Sequence, residues 1–270
     1  MHQNKHLIRT PQPVRIRPIA LPVEHGGWGF LAAPIVLGLW LAPSMAGFWL
    51  SLAGFGAFLT RQPLKIAFGD YRRRKRYPRT VIAERFVVGY STIAFIGLGL
   101  AIVNAAAPFW LPIALAAPFA ISQLFFDLRK ESRALAAELC GAVAISALVA
   151  AIMMADGWSF PPAMLAWLLL AMQAATAIIY VRVRLRLARN EPVGRAPVLL
   201  WHGIAVLIAG GLVVLDWVGW PVLLIFILLT LRCWIGLLPR SLTTPTPLVG
   251  MQELGASLLT VIGIGFSIGF

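Results

Sequence analysis

Apolar residues run in blocks of about 18 to 23 along nearly the whole chain, and polar residues fall in short clusters between the blocks. Each block is long enough to cross a hydrocarbon core of about 30 Å as a helix. The pattern predicts about nine spans, near residues 27–44, 46–67, 86–106, 109–126, 134–155, 162–181, 197–215, 218–237 and 250–269. Proline marks the joints: Pro43, Pro108 with Pro112, Pro161 with Pro162, Pro197, Pro221, Pro239 and the TTPTP of residues 243–247. The blocks lack the alternation of a transmembrane barrel strand, and in lipid every backbone polar group must be satisfied within its own segment. The expected fold is therefore all-α, a polytopic membrane helical bundle. Residues 1–21 are expected to form a flexible basic tail, and residues 22–270 a single transmembrane domain.

Composition agrees with the patterning. Of the 270 residues, 60% are hydrophobic and only 12% are charged, against roughly a quarter charged in soluble domains; the mean hydropathy is +0.84. No block is left over for a separate soluble domain. The two cysteines, Cys140 and Cys233, fall in or at the end of expected spans and read as small apolar residues rather than a disulfide framework.

The net charge of +13 adds orientation. If the N-terminus is cytoplasmic, all 23 Lys and Arg residues fall on the cytoplasmic side. Most lie in the tail, in RRRKRYPR after the second span, in DLRKESR after the fourth, in RVRLRLAR after the sixth, and at Arg232 and Arg240 after the eighth. Basic residues in short loops resist translocation, so the expected topology is N-inside with an odd number of spans. The basic charge is then a matter of topology and of attraction to anionic headgroups, with no motif that points to nucleic acid. The expected location is the bacterial cytoplasmic (inner) membrane, multi-pass.

The ten acids are the more informative set, because an ionised side chain in a span costs several kcal/mol unless paired or hydrated. Eight of them, Glu24, Asp70, Glu84, Asp127, Glu131, Glu138, Glu191 and Glu253, collect at the inner ends of spans, with Glu138 and Glu253 about one turn inside. A polar cavity open to the cytoplasm would relieve that cost. In FFDLRKESRALAAELCG, residues 125–141, a continuous helix would place Asp127, Glu131 and Glu138 on one stripe, with Arg129 and Arg133 beside it. Such a stripe reads as helix salt bridges or as carboxylates around a divalent cation. Arg61 and Lys65, one turn apart beside Pro63, read as an anion site or as side chains snorkelling to the surface. Arg182 follows the sixth span, and His202 lies one turn into the seventh, as a hydrogen-bonded core residue or a ligand.

Several of these residues carry a resemblance. Pro22, Glu24, His25, Gly26, Gly27 and Trp28 open the first span as in the YwiC-like membrane proteins. QPLKIAF at 62–68, FDLRKESR with Glu138 and Gly141 downstream, Tyr180 with Arg182 and Arg184, and Pro247, Gly250 and Glu253 also resemble that family in order and spacing. The resemblance implies a bacterial multi-pass membrane protein and supplies no mechanism. The span order also looks like the plan of the UbiA-type intramembrane prenyltransferases, which hold Mg²⁺ and a prenyl diphosphate on two aspartate-rich motifs. Here Arg and Lys stand where those carboxylates would be, in FGDYRRRKRYPR and YVRVRLRLARNE.

The functional expectation is a polar cavity on the cytoplasmic side that binds or modifies an anionic amphipathic lipid such as an isoprenoid phosphate. The alternatives are a non-enzymatic carrier of a small anion or lipid, and a membrane assembly factor. Glu24, His25, Glu131 and Glu138 are the candidate acid–base groups. Arg61, Lys65, Asp127, Arg129, Arg133, Arg182, His202 and Glu253 are the candidate ligand-binding groups. No cofactor or metal is specified by the residues.

Overall fold

A computed structural model describes residues 15–22 and 25–268, with the side chains of His25 and Gly26 left aside. Within these residues there is no strand. A single turn, α1 (Arg17–Ala20), precedes nine longer helices: α2 (His25–Leu41), α3 (Met45–Arg72), α4 (Pro78–Asn104), α5 (Trp110–Leu128), α6 (Leu135–Ala155), α7 (Phe160–Ala188), α8 (Ala196–Val214), α9 (Trp220–Gly236) and α10 (Thr246–Ile268).

The joints follow the proline and serine punctuation. Proline occupies the first or second position of α4, α7, α8 and α9, where its missing N–H has no intrahelical partner to lose. Ser44 caps α3 by accepting from Gly47 N at 3.1 Å. Pro34, Pro63 and Pro118 lie inside α2, α3 and α5 without ending them.

α4, α5, α6, α7, α8 and α10 are each long and apolar enough to cross a bilayer. The other three depart from the nine-span expectation for separate reasons. α2 and α9 are apolar but have 17 residues, a rise of about 26 Å. α3 has 28 residues, with Arg61, Lys65 and Asp70 in its second half.

Packing centres on α6 and α7. Val149, Ala150, Ala151, Ile152 and Met153 of α6 are fully buried against α2, α3 and α7. α4 and α5 instead turn large apolar side chains outward, with Phe95 of α4 at 73% and Ile121 of α5 at 67% exposed. An apolar outer surface over a small-residue interior suits a solvent of hydrocarbon. The α3–α4 contact is the closest. A Cβ on Gly56 would lie 2.8 Å from Ala94 N and Tyr90 O, and one on Gly97 would lie 2.9 Å from Ala53 N and Trp49 O. Glycine at both crossings lets the two backbones touch.

The apolar connections meet at one end, where Ala106 N donates to Ala155 O at 2.8 Å. The basic connections gather at the other, called here the basic end. Ile19 and Ala20 of α1 are buried there beside Ala67 and Ala83, so the last residues of the basic N-terminal stretch are held against α3 and α4.

Candidate functional site at the basic end of the bundle

Three ion-paired groups at the basic end each join two or more helices. The first joins α3 to α5. Arg61 Nε donates to Asp127 Oδ2 at 2.5 Å and Nη2 donates to Oδ1 at 3.0 Å, a two-point fork on a carboxylate that is 1% exposed. One turn on, Lys65 Nζ donates to Ser132 Oγ at 3.1 Å, and Arg72 Nη1 reaches Leu128 O, the last carbonyl of α5, at 3.4 Å. Positive charge at a helix C-terminus is favourable.

The second group joins α3 to α4. Asp70 is buried and accepts from Arg79 through Nε at 3.0 Å and Nη2 at 2.5 Å, and from Thr80 Oγ1 at 2.8 Å. The Arg79 guanidinium, with Thr80 assisting against the cost of burial, holds the Asp70 carboxyl below the usual carboxylate range. Nearer the surface, Glu84 accepts from Tyr71 Oη and from Arg76 Nη2, the latter at 2.6 Å.

The third group lies between α7, α8, α9 and α10. Arg232 Nη1 donates to Glu253 Oε1 at 2.6 Å. Arg184, 3% exposed, donates to Tyr180 Oη at 2.9 Å, Ser241 O at 2.7 Å and Gln252 Oε1 at 3.4 Å. His202 is buried and its Nδ1 lies 2.9 Å from Val198 O, a carbonyl that can only accept, so Nδ1 carries the hydrogen. Between α6 and α7, Arg182 Nη1 donates to Glu138 Oε2 at 3.0 Å.

A cleft of about 440 Å³ opens among α1, α3, α4 and the turn after α5. Pro18, Ile19 and Ile66 give it apolar walls, and Arg15, Lys65, Arg73, Arg79 and Lys130 surround it. Asp70 is the single acid in its lining, already taken up by Arg79 and Thr80.

The sequence candidates therefore separate. Glu24 lies outside the described residues, and His25 begins α2 with its side chain outside them. The expected stripe of Asp127, Glu131 and Glu138 does not form: α5 ends at Leu128 and α6 starts at Leu135. Lys130 has φ +64° in the intervening turn, which carries Glu131 and Arg133 on the surface. Asp127 turns both oxygens to Arg61, and Arg129 stacks over the Phe125 ring at 4.0 Å. Lys65 lines the cleft, whereas His202 and Glu253 belong to the seam between α7 and α10.

Sequence reasoning missed Asp70, Arg73, Arg79 and Lys130 as cleft residues, and Arg184 and Arg232 as the cationic half of the third group. Asp70 as the lone acid of a basic run, and Arg232 about one turn inside its helix, were the available signals. Among the described residues no three His, Cys, Asp or Glu side chains come together as metal ligands.

The two-point pairs and Glu138 sit on α3 to α6, within the part of the chain that a family model recognises: residues 21–153 match the YwiC-like proteins. Over those residues the chain is similar to the YwiC-like family. No curated protein and no solved structure matches the chain. The YwiC-like region carries α2 to α6 almost entire, with most of the cleft wall. Helices α7 to α10, with Tyr180, Arg184, Arg232 and Glu253, lie beyond it.

Proposed function

We propose that the chain is a nine-span protein of the bacterial cytoplasmic membrane, N-terminus inside, whose cleft at the basic end holds the anionic headgroup of an amphipathic lipid such as an isoprenoid phosphate. The observation that carries this reading is the charge around the cleft: five cationic side chains against one carboxylate that is already engaged. Basic side chains facing a shared hollow repel one another, and an anion between them relieves that repulsion. Guanidinium groups suit phosphate oxygens, and the walls of Pro18, Ile19 and Ile66 suit the first carbons of an acyl or prenyl chain.

The reading is of binding rather than acid–base catalysis. Asp70 and Asp127, the buried carboxylates of the YwiC-like region, are both occupied by guanidinium forks. The short helices α2 and α9 are accommodated as spans by local thinning of the bilayer, and α3 by projecting its basic end past the headgroups.

Native mass spectrometry of the protein purified in mild detergent tests the proposal. The wild type should retain anionic lipid in preference to zwitterionic lipid, and Lys65→Glu with Arg73→Glu should abolish that preference without loss of the folded protein. A wild type that carries both lipid classes in proportion to the membrane would overturn it.

A further inference from the structure

The third ion pair is built differently from the other two. Arg61–Asp127 and Arg79–Asp70 each use both carboxylate oxygens and two guanidinium nitrogens. Arg232–Glu253 uses one of each, and Arg232 Nε and Glu253 Oε2 are both buried with no hydrogen-bond partner. They face a seam lined by Gln173, Thr176, His202 and Leu229 that leaves no room for a water molecule. A buried carboxylate oxygen that accepts nothing is costly in its ionised form, and here water cannot supply the missing bond. A proton can.

The surroundings permit the charge change. α7 brings Tyr180 and Arg184, α8 brings His202, and α9 brings Arg232 and Cys233 toward Glu253. α2 packs Gly29 against Leu254 and adds no ionisable group among its described side chains. Arg232 is held a second way, its guanidinium lying 4.7 Å from the centre of the Tyr180 ring. Arg184 is fixed independently by Tyr180 Oη, Ser241 O and Gln252 Oε1. Neither cation depends on the Glu253 charge alone.

We propose that Glu253 is a proton-binding site inside the bundle, which takes up and releases one proton at Oε2 while Arg232 stays against Tyr180. On uptake an O–H bond forms at Oε2 as a hydronium ion from solution gives up its proton and leaves water, and the local charge rises by one. His202 lines the same seam. With Nδ1–H committed to Val198 O, its Nε2 is the nitrogen left to accept a proton. The inference is independent of the headgroup cleft, which lies on other helices.

Infrared difference spectroscopy of the full chain in lipid nanodiscs, stepped from alkaline to acid pH, tests it. Among the protonated-carboxyl C=O bands that the wild type gains, one should shift on carbon-13 labelling of glutamate and be absent in Glu253→Gln. Glu253→Asp, which draws the carboxyl back by one methylene, should move the band and make it insensitive to the glutamate label. This second variant decides the matter if Glu253→Gln does not fold. A set of titrating glutamate bands that is the same in the wild type and in both variants overturns the proposal.

Discussion

Arg61 on α3 and Asp127 on α5 stand 66 residues apart in sequence and meet in a fork of 2.5 and 3.0 Å. The pair ties the basic ends of two helices that have few other contacts with each other. The Asp127 side chain is almost wholly out of solvent while that of Arg61 is 24% exposed, so the two halves are not equivalent.

Arg61→Met should strand a buried carboxylate and cost about 3–5 kcal/mol of stability. Adding Asp127→Leu should recover a large part of that loss, because replacing both members of a buried pair is far cheaper than removing one. Thermal unfolding in detergent, followed by circular dichroism, compares the three proteins. A double variant no more stable than the single would show that the pair serves another purpose.

The glycine crossings of α3 and α4 should be less forgiving than others. Gly56→Ala sets a methyl against backbone atoms of Tyr90 and Ala94 at 2.8 Å, which can yield only by parting the helices. Gly141→Ala meets the amide of Gln123, the end of a flexible side chain. The first should destabilise by about 1–3 kcal/mol, the usual cost of overpacking, and the second by less. The same unfolding measurement ranks them.

Acid sensitivity should trace in part to Asp70. Its carboxyl is held below the ordinary value by Arg79, so its contribution to stability is complete above the unfolded carboxylate range. That contribution is lost as pH falls through the folded value. Asp70→Asn should therefore be less stable than the wild type at neutral pH, with the difference narrowing in acid. Midpoints of unfolding across an acid series show whether the curves converge.

How far the sequence reaches can be judged from particular helices. Hydropathy placed residues 134–155 and the structure has Leu135–Ala155, because an apolar block bounded by polar turns leaves little choice. It placed the start of the third span at residue 86, whereas α4 begins at Pro78. Hydropathy reports where lipid begins, and a helix continues past that point for as long as its cap and first-turn residues allow. The stripe from Asp127 to Glu138 failed because charge spacing alone does not reveal a turn at Lys130.

The partners were less legible than the helices. Nothing local in LTRQPLK points to Asp127, and nothing in GDYRRRKRYPR distinguishes Arg79, which binds Asp70, from the basic residues around it. A surplus of Lys and Arg at one end is readable as topology. Which of them share a hollow depends on how α1, α3, α4 and the turn after α5 come together.

Labelling of cysteine variants tests the central claim, a headgroup cleft open to the cytoplasm, most directly. Arg73→Cys in the cleft and Lys75→Cys beyond it would be compared in a protein lacking Cys140 and Cys233, using a thiol reagent that does not cross membranes and dodecyl phosphate as the probe. Both positions should react in inverted vesicles and neither in intact cells, and dodecyl phosphate should protect Arg73→Cys but leave Lys75→Cys reactive. Reaction from the cell exterior, or labelling of Arg73→Cys that dodecyl phosphate does not change, would contradict the account.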